Sequence, residues 1–160
     1  MFVMLKRLQG LRRTIQLPAP DQPGSLALRH VDCGSCNGCE HELTNAFGPH
    51  YDFARHGLSA VASPRHADAL LITGTVTTRM AGPLKAAYLA MPEPRIVVAL
   101  GNCALGSGVI GDPAEMAGPL EELLPVDIRI PGCPPSPAEI AAALLPTIDL
   151  VRRRTAEDES

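Results

Sequence analysis

Five cysteines are the side chains of this 160-residue chain best suited to chemistry, and all of them lie in loops rich in glycine or proline. Three fall within residues 33–39 (CGSCNGC), the fourth is Cys103 in Gly-Asn-Cys, and the fifth is Cys133 in Pro-Gly-Cys-Pro-Pro. Thiolates bind iron–sulfur clusters and structural zinc ions. Four thiolates from three separate loops would therefore enclose one soft-metal centre, which would make the chain an electron carrier.

The first loop holds one cysteine more than a four-thiolate site needs. Cys33 and Cys36 are separated by two residues, and so are Cys36 and Cys39, so spacing alone leaves both pairs open. The Asn-Gly pair at 37–38 is the better tight-turn pair than the Gly-Ser pair at 34–35. Cys39 also begins a predicted helix, whose N-terminus favours a thiolate. We therefore predict Cys36 and Cys39 as ligands and Cys33 as the spare thiol.

Zinc is the alternative metal for the same residues. Structural zinc sites with four cysteines usually contain two close pairs. Here the first loop supplies a close pair, whereas Cys103 and Cys133 are single. This pattern disfavours zinc and leaves it as a second possibility.

Other motifs contribute little chemistry. Residues 106–111 (GSGVIG) match the dinucleotide fingerprint G-x-G-x-x-G. A dinucleotide site needs a helix directly after this motif, and Asp112-Pro113 interrupts it. We therefore interpret residues 106–111 as a loop around the metal site. The five histidines form no pair at a metal-ligand spacing. We expect Glu40 and Glu42, which follow the first loop, to be solvated.

The elements that must position the cysteines alternate between strands and helices. Strands are predicted at 26–31, 69–72, 95–100 and 127–130, and helices at 40–47, 83–91 and 136–145. This alternation predicts an α/β fold with an open parallel sheet of about four strands and flanking helices. Three of the strands end at a cysteine loop, and ligands bind at the carboxyl edge of such sheets. The order along the chain therefore predicts that the loops of Cys36, Cys103 and Cys133 converge.

Prolines and one serine set the expected helix ends. Pro83 suits the first turn of its helix, and Pro146 is expected to end or kink the last helix. Ser136 is expected to cap that last helix, with Pro137 at the first position and Glu139 at the third.

Length and composition predict one domain with short extensions. Residues 1–17 are predicted as a basic amphipathic helix that lies on a partner subunit or on an anionic membrane surface. A proline-rich linker (18–25), the metal-binding α/β domain (26–150) and a charged, solvated tail (151–160) follow.

The net charge of −3, the 3% of aromatic residues and the absence of Trp argue against nucleic-acid binding. No apolar run approaches the roughly 20 residues of a membrane span, and residues 1–17 lack the apolar core of a signal peptide. We therefore expect a cytoplasmic protein, in which clustered cysteines more often bind metal than form disulfides.

The cysteine motifs carry a family resemblance. GSCNGCE at 34–40, GNC at 101–103, PGCPP at 131–135 and residues 66–74 resemble the small, cluster-bearing subunit of membrane-associated NiFe hydrogenases of the formate hydrogenlyase and hydrogenase-4 types. The superfamily also includes the 20 kDa, B-type subunit of NADH:quinone oxidoreductase (complex I). The resemblance covers about residues 26–145. The spacing in the first loop resembles the hydrogenase branch, since complex I relatives usually carry two adjacent cysteines there.

The resemblance implies a flavodoxin-like fold and one 4Fe–4S cluster bound by Cys36, Cys39, Cys103 and Cys133. It gives Cys33 no ligand counterpart. It also places Glu42 where complex I relatives carry an acidic residue near the cluster.

The same resemblance implies a non-catalytic electron-transfer subunit of an oxidoreductase complex. Its partners would be a ferredoxin-like subunit, a large NiFe-type catalytic subunit and membrane subunits, with the chain peripheral on the cytoplasmic face of the membrane. Two alternatives stay open. One is a B-type subunit whose large partner has a quinone site, and the other is a zinc-stabilised α/β binding module.

Overall fold

A computed structural model describes residues 24–109 and 111–158, with side chains as far as Asp149. The helix predicted at 1–17 and most of the predicted linker therefore lie outside the described residues. The sheet contains five parallel strands in the order β2-β1-β3-β4-β5. The strands are β1 (Leu26–Asp32), β2 (Leu58–Ala60), β3 (Ala69–Thr73), β4 (Ile96–Leu100) and β5 (Ile128–Ile130).

The predicted open parallel sheet is confirmed, and its strand order is that of flavodoxin-like folds. The number of strands differs from the expected four because β2 was missed. This edge strand has only three residues, two of them exposed, so it carries no run of buried apolar residues that the sequence could reveal.

Helices cover both faces of the sheet. The α-helices are α1 (Gly38–Phe47), α2 (Thr78–Ala90), α3 (Gly101–Ala104), α4 (Leu120–Leu123) and α5 (Pro137–Asp158). Every residue of β3 and β4 is buried, and alternate residues of these strands belong to opposite cores. One core joins the sheet to α1 and α5, whereas the other joins it to α2 and α4.

Two helices extend through prolines that were expected to mark their ends. Helix α2 begins at Thr78, so Pro83 lies inside it, where burial of Leu84 against the sheet offsets the hydrogen bond that proline cannot donate. Helix α5 also continues past Pro146, and the next residue, Thr147, is buried with its hydroxyl donating a hydrogen bond to the Ala143 carbonyl at 3.2 Å.

The expected cap of α5 is present. The Ser136 backbone N–H and hydroxyl donate to Oε2 of Glu139 at 2.8 and 2.7 Å, and the Glu139 N–H donates back to the Ser136 hydroxyl at 3.4 Å. We expect Ser136→Ala to lower the free energy of unfolding by about 1 kcal/mol in a urea titration. Ser59→Ala is the control, since the Ser59 hydroxyl is exposed and makes no hydrogen bond within the described residues. An equal loss in both variants would contradict the capping role.

Candidate metal centre

The loops that carry Cys103 and Cys133 are joined directly at the carboxyl edge of the sheet. The Asn102 backbone N–H donates to the carbonyl oxygen of Gly132 at 2.8 Å, and the Gly132 N–H donates to Asn102 Oδ1 at 2.9 Å. Because one residue neighbours Cys103 and the other neighbours Cys133, these two bonds hold the two cysteine loops in register.

The first cysteine loop packs against the other two. A Cβ atom placed on Gly101 would lie 2.6 Å from the Sγ atom of Cys39 and 3.4 Å from the Gly132 carbonyl oxygen. A Cβ atom on Gly38 would lie 3.4 Å from Cys36 Sγ and 3.8 Å from the Pro134 ring. The three loops therefore meet at one point, as the order of strands and loops along the chain predicts.

The expected turn orients the first loop. Asn37 adopts the left-handed conformation, with φ 66° and ψ 1°, directly before α1. Upstream, Asp32 Oδ1 accepts hydrogen bonds from the backbone N–H groups of Gly34 and Ser35 at 2.9 and 2.8 Å. These local bonds turn the chain from the end of β1 into α1 and place Cys36 and Cys39 on either side of the turn.

The thiols of the site influence one another electrostatically. Burial, followed by the effects of Glu40 and of the thiols of Cys103, Cys36 and Cys133, raises the pKa of Cys39 to about 11. The pKa of Cys103 is also raised, first by burial and then by Cys133, Cys36 and Glu40. Burial and the neighbouring groups therefore oppose the stabilisation of a Cys39 thiolate that is expected from the N-terminus of α1.

The residues present fit a thiolate-bound metal group. A bound cation reverses the unfavourable ionisation of such thiols, since coordinating thiols are deprotonated. Glycines also leave room for the sulfur atoms, because a Cβ atom on Gly108 would lie 2.5 Å from Cys103 Sγ. Within residues 24–109 and 111–158, no three His, Cys, Asp or Glu side chains are grouped as ligands of a single metal ion.

Cys33 lies apart from the other four cysteines. Its side chain is fully buried in the core beneath α2, together with Val31, whereas Cys39 packs on the opposite core. Its backbone N–H donates to the Thr73 carbonyl at 3.0 Å, and its own carbonyl accepts from the Thr77 N–H at 3.1 Å. Burial, with a smaller effect of Asp32, raises the pKa of the Cys33 thiol to about 12.

Residues 106–109 and 111 of the glycine-rich segment lie in a loop beside Cys103, as expected, and residues 111–119 contain no α-helix. A cavity of about 430 Å³ lies against this loop, between Cys103, Gly108, Met116 and Leu120. Val109 projects from the loop with 94% of its side chain exposed.

Sequence reasoning missed a polar group next to the cysteines. Glu40 was expected to be solvated, but only 19% of its side chain is exposed. Its Oε1 atom accepts a hydrogen bond from the hydroxyl of Thr73, a buried residue at the end of β3. No spacing rule reveals this contact, because 33 residues separate the two partners along the chain.

Comparisons with curated proteins give several close relatives. A probable membrane-bound hydrogenase subunit of Pyrococcus furiosus is 46% identical over 69% of the chain and 66% of its own length. Formate hydrogenlyase subunit 7 of Escherichia coli is 45% identical over 68% of the chain and 42% of its length. The B 1 subunit of the NADH-quinone oxidoreductase of Symbiobacterium thermophilum is 45% identical over 72% of the chain and 70% of its length.

Among solved structures, the membrane-bound sulfane sulfur reductase, an archaeal respiratory membrane complex, superposes with a TM-score of 0.69 at 29% identity. That match covers 81% of this chain and 72% of the other. No helix among residues 24–109 and 111–158 has both the length and the apolar character of a membrane span.

The family comparison agrees with these relatives. The model of the family described as NADH ubiquinone oxidoreductase, 20 Kd subunit, matches residues 36–147, which contain four of the five cysteines and four of the five strands. The relatives carry the names of subunits of oxidoreductase complexes. This chain therefore belongs to the family of the 20 kDa subunit of NADH:ubiquinone oxidoreductase.

Proposed function

We propose that this chain is an electron-transfer subunit that holds one 4Fe–4S cluster on Cys36, Cys39, Cys103 and Cys133. The observation that carries the proposal is the meeting of three cysteine loops, from three separate strands, at the carboxyl edge of the sheet. A bound cluster supplies a site that takes up and releases one electron reversibly. The fifth thiol, Cys33, is buried in the opposite core and stays outside the site.

The side chains and backbone of this subunit position the group and shield it. Asn102 holds two of the loops together, and the glycines beside Cys39 and Cys103 leave space for the sulfur atoms. One electron arrives from a partner and one electron leaves to another partner. No bond of this chain forms or breaks, and no proton is consumed.

The site opens toward the surface, which favours contact with partner subunits. Cys36 and Cys133 are exposed, and Val109 is an apolar side chain that projects from the loop next to Cys103. We propose a ferredoxin-like subunit on one side and the large subunit of a membrane-associated NiFe hydrogenase on the other. The chain would be peripheral, on the cytoplasmic face of the membrane, through its contacts with membrane subunits of the complex.

A B-type subunit of a complex I-like enzyme is the second candidate. It is favoured by the 45% identity to the B 1 subunit of an NADH-quinone oxidoreductase. The first loop favours the hydrogenase, because its two proposed ligands are separated by two residues rather than adjacent. The metal in the large partner distinguishes the two, since only the hydrogenase contains nickel there.

The test is anaerobic purification of the native complex through a tag on this chain, followed by analysis of iron, acid-labile sulfide, nickel and zinc. We expect iron, sulfide and nickel to copurify with the tagged chain. Iron and sulfide without nickel would favour the quinone-linked alternative. Zinc without iron or sulfide would replace the electron-transfer function with that of a zinc-stabilised binding module.

A further inference from the structure

A chain of hydrogen bonds connects Glu40, next to the proposed cluster ligands, to two strands of the sheet. The Thr73 hydroxyl at the end of β3 donates to Glu40 Oε1, and the Nε2 atom of His30 on β1 lies 2.8 Å from the same hydroxyl oxygen. Because the hydroxyl hydrogen is directed to Glu40, the Thr73 oxygen accepts from an N–H at His30 Nε2. The carboxylate is therefore held in one position by β1 and β3 rather than free on the surface of α1.

His30 also faces the carboxylate directly, since its Nε2 atom lies 3.5 Å from Glu40 Oε1. Burial lowers the pKa of His30 and outweighs the opposite effects of Glu40 and Asp32, so the charged form of the imidazole is disfavoured. The second oxygen of Glu40, Oε2, is buried and has no hydrogen-bond partner within the described part of the chain. Buried polar atoms without a partner are rare in folded proteins, and a functional role is one reason for keeping them.

The carboxylate lies beside the loops that would bind the cluster. Glu40 follows Cys39 directly in the sequence. Thr73, which holds the Glu40 side chain, pairs with Leu100 at the end of β4, the residue before Gly101. A Cβ atom on Gly101 would lie 2.6 Å from Cys39 Sγ. A fixed negative charge beside a cluster opposes the addition of an electron there. Nearby charge and hydrogen bonding are among the factors that set the potential of iron–sulfur clusters.

We infer that Glu40, positioned by Thr73 and His30, is a fixed negative charge that lowers the reduction potential of the cluster. This inference rests on the function proposed above and adds to it the residue that sets how strongly the subunit donates its electron. Glu40 is a potential-setting residue and not a ligand. Its substitution should change the potential while the iron content stays the same.

The test compares three variants of the tagged, anaerobically purified complex by EPR-monitored redox titration, with iron and sulfide analysis of each. The signal of this chain is identified as the one that Cys103→Ser loses. Glu40→Gln removes the charge and keeps an oxygen that accepts from Thr73. Glu40→Asp keeps the negative charge on a side chain that is one methylene shorter, so the charge moves away from Thr73 and toward the backbone of α1. Glu122→Gln, an exposed acid on α4, controls for the change in net charge.

At the wild-type midpoint potential, we expect Glu40→Gln to raise the ratio of reduced to oxidised cluster at least about tenfold, which is about 59 mV for a one-electron couple. Glu40→Asp should fall between Glu40→Gln and wild type, and Glu122→Gln should match wild type. An unchanged potential in an iron-loaded Glu40→Gln complex would overturn the inference and leave the proposed function standing. If Glu40→Gln does not take up iron, an unchanged potential in Glu40→Asp overturns it. If the Cys103→Ser complex has the same iron content and the same EPR signals as the wild-type complex, the proposed function is refuted instead.

Discussion

Cys103→Ser should abolish the EPR signal of this chain's cluster in the complex, whereas Cys33→Ser should leave both that signal and the iron content at wild-type levels. Cys103 stands at the meeting point of the three loops, within electrostatic reach of Cys36, Cys39 and Cys133. An iron–sulfur cluster needs four thiolates, so loss of one leaves an incomplete ligand set. The measurement is iron and sulfide analysis of the complex, together with EPR of the reduced protein.

Cys33 is the matched control because it is a cysteine of the same first loop. Its thiol is fully buried in a cluster of apolar side chains, so serine there places a hydroxyl in an apolar core. We expect Cys33→Ser to lower the free energy of unfolding by about 1–3 kcal/mol without loss of iron. Iron loss from Cys33→Ser together with full retention in Cys36→Ser would contradict the ligand assignment.

Gly101→Ala should cost most of the bound iron although Gly101 is not itself a ligand. Gly101 has φ +86°, which residues with a Cβ atom rarely adopt. The added Cβ would also lie 2.6 Å from Cys39 Sγ, so that sulfur must move. We expect a loss of about 1–3 kcal/mol of stability from the strained backbone, and a large fall in iron per chain because Cys39 is displaced.

Gly82→Ala is the control for this substitution. Gly82 lies inside α2 with a negative φ, and a Cβ atom there meets nothing within 4 Å. Alanine should therefore raise the free energy of unfolding by about 0.5–1 kcal/mol and leave the iron content unchanged. The measurements are urea unfolding of the two variants and iron analysis of the anaerobic complex. Wild-type iron in Gly101→Ala would show that the glycine is not needed for the position of the thiol.

Four of the five strands and the cysteine loops could be predicted because their signals are local. The segments 69–72 and 96–100 are continuous apolar runs, which is typical of strands buried on both faces. The Asn-Gly turn at 37–38 and the cap at Ser136 depend on residues within a few positions of each other, and the structure contains both. The helix ends at Pro83 and Pro146 were missed because packing against the sheet outweighs the local effect of proline.

The sequence by itself determined the type of fold, the three loops at the ends of strands and the set of thiols available to a metal. Only the tertiary structure decided that Cys33 turns into the core beneath α2 while Cys39 packs on the other core, since equal spacing in the loop carries no such information. It also decided that Glu40 is held by Thr73 and His30. Those contacts join residues 33 to 43 positions apart, so they arise only when α1 folds onto the edge of the sheet.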